Sequence, residues 1–185
     1  MQRQMAGLVF FIIASFAASV TTAAEPVLLG AVQQLSKSLA EEEREKLFMP
    51  FNSDERLNWH FVPKSRPGLS LKDVSAEKQQ AILEVVRAGL SHAGYEKVAT
   101  IRSLESVLRE MGGPSFRDPE LYSLQVYGEP GREGAWMVRY EGHHLSLNWT
   151  VIDGEIIATS PQFLGAALFR DRTPSHRGAG LPGDA

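Results

Sequence analysis

The hydrophobic pattern divides the chain into a helical first half and a strand-rich second half. In three stretches between residues 27 and 111, apolar side chains recur every three or four positions, which is the period of a helix with one buried face. From residue 121 the period falls to two, which is typical of β-strands. This order predicts an α+β fold in which N-terminal helices pack on an antiparallel β-meander of about four strands.

Three helices are predicted in the first half. The first covers residues 27–48 and ends before Pro50. The second begins at the N-cap Ser75 and runs to Gly94, and the third ends at Gly112. The side chains expected to be buried are Leu28, Val32, Leu35 and Leu39 in the first helix, Ile82, Val85, Val86 and Leu90 in the second, and Val98, Ile101, Leu104, Leu108 and Met111 in the third.

Four strands are predicted at residues 121–128, 135–141, 143–152 and 156–159. Asp153-Gly154 predicts a tight hairpin turn between the last two, because such turns need positive φ angles. Side chains alternate between the two faces of a strand. His143 and His144 are therefore expected to point in opposite directions, unless Gly142 marks a bulge.

The two ends of the chain differ in composition from the part between them. Residues 1–24 contain Arg3, then an uncharged apolar stretch and then small residues, which predicts a secretory signal peptide. The alternative is an uncleaved anchor, but the stretch is short for a membrane span. We expect an exported protein, periplasmic or extracellular, that meets the membrane only through its signal peptide. Residues 25–168 are expected to form one domain and residues 169–185 a disordered tail.

Charge and cysteine content exclude several kinds of site. The formal net charge is −3, and no block of lysine and arginine is present, which argues against nucleic acid as a partner. The chain has no cysteine, so it has no disulfide, thiol nucleophile or thiolate metal site. A divalent metal, if it binds, must use histidine, carboxylate or amide ligands.

The segment Glu141-Gly142-His143-His144 holds two of the five histidines beside a carboxylate. Glu141 and His143 are two residues apart, a spacing that can chelate a metal from one face of a strand. We expect His60, in the Trp59–Pro63 segment, as a third ligand. Alternatively, His60 and His144 form an acid–base pair, or His143 is a structural histidine with one buried partner.

Ligand binding is predicted around the same segments. Ser146 and Asn148 share the polar face of the third strand, which is either a solvated outer surface or the wall of a pocket. Arg56 and Trp59 are the other predicted ligand-binding residues, because a guanidinium binds anions and an indole packs on apolar groups. Two more arginines could bind an anion in the same way, and these are Arg66 and Arg139.

Four segments carry a resemblance to a known family, and in chain order they are Asn58–Pro63, Gly94–Lys97, Arg117–Tyr122 and Glu141–Asn148. They resemble a bacterial family, the domain of unknown function 3500, from about residue 51 to about residue 165. The resemblance implies that residues 59–63 and 141–144 are family hallmarks. It also implies a longer family domain, so we expect this chain to be truncated at its C-terminal end.

The combined prediction is an exported, histidine- or metal-assisted hydrolase that acts on a small molecule. Its site is expected where residues 59–60 meet residues 141–144, because these segments hold the clustered histidines and the carboxylate. The alternatives are a non-catalytic envelope module that binds a ligand or another protein, and an inactive truncated remnant.

Overall fold

The computed structural model describes residues 26–166. The predicted signal peptide and the predicted disordered tail lie outside these residues. Within them, no helix has the length and apolar character that a membrane crossing requires. The helices are α1 (Val27–Ser38), α2 (Glu41–Leu47), α3 (Ala76–Ala88) and α4 (His92–Glu110). The strands are β1 (Phe48–Met49), β2 (Leu69–Ser70), β3 (Ser123–Tyr127), β4 (Ala135–Gly142), β5 (Leu145–Ile152), β6 (Glu155–Ala158) and β7 (Phe163–Leu164).

The helices precede a mixed sheet, so the predicted α+β class is confirmed. Strands β3, β4, β5 and β6 form the predicted antiparallel meander. Three strands of two residues each were not predicted: β1 runs parallel to β3, β2 pairs with β3 and β7 pairs with β5. Such short strands have no measurable period, and only their partners define them.

The prediction of one helix over residues 27–48 is wrong, because the first helix ends at Ser38. Leu39 is extended, with ψ 143°, and its side chain is buried. Ala40 is the N-cap residue of the next helix, α2, and its N–H donates to the Glu43 carboxylate over 2.8 Å. Leu39 faces the core in either conformation, so the apolar period conceals the break. Pro50 consequently follows the strand β1 and not a helix.

The other helices have the predicted start but different ends. Ser75 caps α3 as predicted, but this helix ends at Ala88 and not at Gly94. Gly94 lies in the first turn of α4, where its N–H donates to the N-cap Ser91 over 3.2 Å. Met111 lies just beyond α4 and is 57% exposed, so the predicted buried face extends one residue too far.

The apolar face of β5 packs against the helical layer, as the alternation predicts. Leu145, Leu147, Trp149 and Val151 are all buried in the main core. The Trp149 indole N–H donates to the Gly89 carbonyl at the end of α3, over 2.7 Å. Burial of each large apolar side chain stabilises the fold by about 1.5–3 kcal/mol. This layer fixes the position of the β4–β5 hairpin.

The opposite face of the hairpin is polar and buried, so the solvated-surface interpretation is wrong. Gln125, Arg139 and Asn148 lie side by side on β3, β4 and β5, and all three are fully buried. Arg139 donates from Nε to Asn148 Oδ1 over 2.8 Å and from Nη1 to the Glu55 carbonyl over 2.9 Å. The segment around Glu55 thus covers this face and excludes water from it.

Candidate metal centre at the histidine turn

His143 and His144 form the turn between β4 and β5, and they do not begin a strand. His144 has φ 62°, a left-handed conformation that a tight hairpin turn requires. The two imidazole rings stack, with their centroids 3.8 Å apart. The expectation that they point in opposite directions is therefore wrong, because strand alternation ends where the turn begins. The turn places both rings on one side of the hairpin end.

The backbone of the turn is tied to three other segments. The His144 N–H donates to the Phe61 carbonyl over 2.8 Å, and the His144 carbonyl accepts from the Gly165 N–H over 2.9 Å. The Tyr122 hydroxyl donates to the His143 carbonyl over 2.8 Å. These bonds hold the two imidazoles in place without using their ring nitrogens. Such prior positioning is what a metal centre or a catalytic base requires.

Glu105 on α4 completes a cluster with the two histidines. Its carboxylate is buried, with Oε2 3.0 Å from His143 Nδ1 and Oε1 3.8 Å from His144 Nδ1. One ligand atom from each of the three residues lies within 4.8 Å of the others, and no second such group occurs in the part of the chain that the structure describes. Two imidazoles and one carboxylate could therefore hold a metal ion here.

Glu105 was not predicted as a site residue, although the sequence contains a signal for it. It follows Ile101 by four residues and precedes Leu108 by three, so it lies on the apolar stripe of its helix. Carboxylates are rarely buried without a partner. A glutamate on a buried stripe therefore predicts a cationic, histidine or metal partner, but the helix does not reveal which one.

Arg117, in the loop between α4 and β3, also contacts this cluster. Its Nη1 lies 3.1 Å from Glu105 Oε1 and 3.1 Å from His143 Nδ1. The guanidinium neutralises Glu105, so a metal ion would have to share this carboxylate with Arg117 or displace the arginine. Depending on its tautomer, His143 Nδ1 either donates to Glu105 or accepts from Arg117.

The environment of His144 keeps its imidazole neutral near pH 7. Burial is the largest of the causes that lower the pKa of His144 to about 4, and the charges of His143 and Arg117 act in the same direction. A neutral imidazole is the form that binds a metal. Among the described residues, the His144 ring nitrogens make no hydrogen bond and only approach Glu105. Its ring therefore retains lone-pair capacity for a ligand.

His60 and Glu141, the other predicted metal ligands, meet in a different way. The His60 backbone N–H donates to Glu141 Oε2 over 3.1 Å, while its ring Nε2 pairs with Asn58 Oδ1 over 2.8 Å. Glu141 Oε1 lies 3.4 Å from the buried Arg66 Nε. The two predicted segments thus meet at the hairpin end, as expected. The three-ligand group, however, contains Glu105 and His144 in place of His60 and Glu141.

The predicted ligand-binding residues differ in burial: Ser146 and Asn148 are buried in β5, whereas Arg56 and Trp59 are partly exposed. Asn148 Nδ2 lies 3.3 Å from Ser146 Oγ and 2.6 Å from the Pro161 carbonyl. Arg56 donates to the Phe51 carbonyl over 2.8 Å. Trp59 is half-buried, with its ring 6.2 Å from that of Phe61. The side-chain polar atoms of Ser146 and Asn148 and the Nε atom of Arg56 already have protein partners. Ligand binding by the four residues stays a prediction.

A cleft of about 460 Å³ opens beside the cluster, and His143 forms part of its wall. The Phe116 ring also lines it and meets the His143 ring edge-on, with centroids 5.6 Å apart. Ligand sites of this size are common for small molecules. The cleft therefore gives a small ligand access to His143.

Comparison with known proteins identifies the family. A family model described as a protein of unknown function, DUF3500, matches residues 22–175. Comparisons with curated proteins and with solved structures gave no match. The matched region contains the four helices, the mixed sheet and the histidine turn. The chain therefore belongs to the DUF3500 family.

Proposed function

We propose that this protein is a metal-assisted hydrolase whose divalent cation is bound by Glu105, His143 and His144. The observation that carries the proposal is that one ligand atom from each of these three residues lies within 4.8 Å of the others. Two of the residues belong to the histidine turn, whose backbone is held by hydrogen bonds to other segments. Two histidines and one glutamate are a ligand set of catalytic zinc sites, which keep a further position for water or substrate. Zinc is accordingly the first cation to test.

The proposed reaction is hydrolysis of a small molecule bound in the adjoining cleft. A divalent cation in the cluster would supply Lewis acidity beside the substrate. The oxygen of water bonds to the acyl or phosphoryl centre, the bond to the leaving group breaks, and the leaving group takes up a proton. His143 borders both the cluster and the cleft, which supports a reaction at their junction.

The proposed place of action is outside the cytoplasm, in the periplasm or the extracellular medium. The support is the pattern of residues 1–24, in which Arg3 precedes an uncharged apolar stretch and small residues. The absence of cysteine is compatible with this proposal, since an exported chain without thiols needs no oxidative folding step.

A second candidate function needs no metal, and the position of Arg117 favours it. Because the guanidinium already neutralises Glu105, the carboxylate could serve only to orient His143. A carboxylate bonded to Nδ1 fixes the tautomer of an imidazole and leaves Nε2 to take up a proton. His143 would then act as a general base in histidine-assisted hydrolysis.

The test is a zinc titration of the full chain, purified without a histidine tag and passed over a chelating resin. Isothermal calorimetry should give one zinc ion per chain. Glu105→Gln and His144→Gly should each weaken binding by at least about tenfold. Glycine is chosen at residue 144 because it tolerates the positive φ angle. The matched control is His92→Ala, which removes an exposed histidine outside the cluster.

The outcomes separate the two candidates. Zinc binding that His92→Ala preserves and the cluster variants lose supports the metal centre. If the wild-type chain binds no zinc, the metal proposal fails. Ester hydrolysis without metal that disappears in His143→Gln would then support the histidine base. If the chain neither binds zinc nor hydrolyses esters, the non-catalytic binding module is favoured.

A further inference from the structure

The cleft beside His143 is lined by more positive than negative charge. Lys64, Arg66 and Lys72 line it together with a single carboxylate, Asp73. This excess of positive charge stands out in a chain whose formal net charge is −3. A cleft walled by one sign of charge concentrates ligands of the opposite sign. The local charge therefore favours an anionic ligand.

The three cations of the cleft differ in how far the protein already neutralises them. Arg66 is buried beside Glu141, and Lys72 Nζ lies 2.6 Å from Asp118 Oδ2. Lys64 has no ion-pair partner within residues 26–166, and its side chain is exposed. Its ammonium is thus the charge at the cleft that is most available to a ligand.

Arg66 fixes the loop that carries Lys64. From Nη1 it donates to the Lys64 carbonyl over 3.0 Å. From Nη2 it donates to the Val62 carbonyl over 2.7 Å and to the Gly142 carbonyl, next to the histidine turn, over 3.0 Å. One guanidinium therefore joins the Lys64 loop to the hairpin end, and the loop backbone is held at a fixed place relative to His143.

Two exposed apolar side chains complete the lining. Phe116 and Leu121 both line the cleft and are each 39% exposed. Large apolar side chains left exposed in a concave site commonly contact an apolar part of a ligand. The cleft thus combines an unpaired ammonium with two apolar contacts.

We propose that this cleft binds a small organic anion, with Lys64 contacting the anionic group and Phe116 and Leu121 contacting an apolar body. The inference rests on the proposed function in so far as it names the substrate class: an ester, amide or phosphate ester that carries a negative charge away from the bond to be cleaved. Binding of the anion itself does not require the metal.

The experiment is a nitrogen-15 amide titration of the full chain after passage over a chelating resin, with no metal and no soluble chelator present. The probes are phenylacetate, its neutral isostere phenylacetamide, and phenyl phosphate. Phenylacetate should shift the amides of the cleft, and phenylacetamide should bind at least about tenfold more weakly because it lacks the charge. Phenyl phosphate shows whether a phosphate group is preferred to a carboxylate, and tighter binding of either anion supports the proposal.

Three variants test the role of the charges. Lys64→Gln should weaken phenylacetate binding at least about fivefold, because the unpaired ammonium is lost. Asp73→Asn should strengthen it by about twofold or more, because the opposing carboxylate is lost. Lys46→Gln, on the exposed face of α2, makes the same change in net charge and should leave binding unchanged.

Several results would overturn the proposal. These are an absence of amide shifts with both anions, equal binding of phenylacetate and phenylacetamide, and equal effects of Lys64→Gln and Lys46→Gln. Because the titration contains no metal, a failed zinc experiment does not affect it. Conversely, zinc binding without anion binding would keep the metal centre and reject the substrate class.

Discussion

The β4–β5 hairpin carries two buried polar clusters, and they differ in how many of their polar atoms have a hydrogen-bond or charge partner within the protein. Around Arg139, in the middle of the hairpin, the guanidinium donates to Asn148 and to two backbone carbonyls, and the whole side chain is inaccessible to water. At the histidine turn, His143 and His144 share one carboxylate, and a cleft adjoins them. The first cluster has its polar atoms committed to protein partners, while the second retains capacity for a ligand.

The two clusters also differ in the groups that neutralise their buried charges, Arg139 in the first and Glu105 in the second. Arg139 lies among fixed strand and backbone oxygens, with Glu141 Oε2 3.9 Å from its Nε. Glu105 is neutralised by Arg117, which belongs to a loop and keeps 16% of its side chain exposed. A charge held by rigid backbone serves the fold, whereas a charge held by a loop side chain can be exchanged for another cation. This difference favours a structural role for the Arg139 cluster and supports the proposal of a metal or catalytic site at the histidine turn.

The largest expected effect is the loss of Arg139. Arg139→Met should lower the free energy of unfolding by about 3–5 kcal/mol, because it leaves buried oxygens without their donor. Urea unfolding measures this loss, and zinc titration of the folded variant should still give wild-type stoichiometry. The control is Arg109→Met, an exposed arginine 3.9 Å from Asp118, expected to cost about 0–1 kcal/mol. A loss of zinc binding with unchanged stability in Arg139→Met would reverse the comparison.

An intermediate effect is expected at Gly142, the last residue of β4. A Cβ there would overlap the Tyr122 ring, whose hydroxyl supports the His143 carbonyl. Gly142→Ala should destabilise the fold by about 1–3 kcal/mol through overpacking and should also weaken zinc binding, since the turn must shift. Urea unfolding and calorimetry measure the two effects. The control Gly131→Ala meets no atom closer than 3.4 Å, so it should change neither quantity. Unaltered zinc affinity in Gly142→Ala would show that the turn tolerates displacement.

The smallest expected effect concerns pH and Asp118, which follows Arg117 in its loop. Burial raises the pKa of the Asp118 carboxyl, but hydrogen bonds from Lys72 and from the Glu120 N–H, with the charges of Lys72 and Arg109, lower it overall. The folded state thus favours the ionised form. Its contribution to stability is present above the unfolded pKa of 3.8 and is lost as pH falls through the lower folded pKa.

Acid should therefore loosen the loop beside the histidine turn before it affects the Arg139 cluster. Hydrogen exchange between pH 5 and pH 3 should show faster opening of residues 113–121 than of β4. Asp118→Asn should flatten the fall in stability over this interval. An unchanged acid profile in Asp118→Asn would assign the effect to other carboxylates.

Much of the fold was predictable because its signals are local. The N-cap Ser75 and the alternating apolar side chains of β5 act over a few residues, and both predictions are confirmed. The Asp153-Gly154 turn is also confirmed, with φ 50° and 83° at its two residues. The break at Leu39 was missed for the same reason, since a local apolar period is equally compatible with a helix and with two helices.

The candidate site was only half predictable. His143 and His144 were predicted as site residues because two histidines are adjacent beside a carboxylate. The alternation of side chains along a strand, however, predicted that the two imidazoles point in opposite directions. The turn conformation brings the rings together, and its positive φ at His144 depends on the register of β4 and β5. Glu105 lies 38 residues from His143 in sequence, and Arg117 lies 26 residues away. No periodicity carries information over such distances.

By itself, the sequence determined the α+β order, the apolar face of the sheet, the lack of thiol chemistry and the segments in which chemistry was to be sought. Each of these follows from composition or from interactions between near neighbours. Only the tertiary structure decided that Glu141 pairs with Arg66 while Glu105 meets the histidines. The physical reason is that a buried charge takes the partner that folding brings nearest, and packing of distant segments determines which one that is.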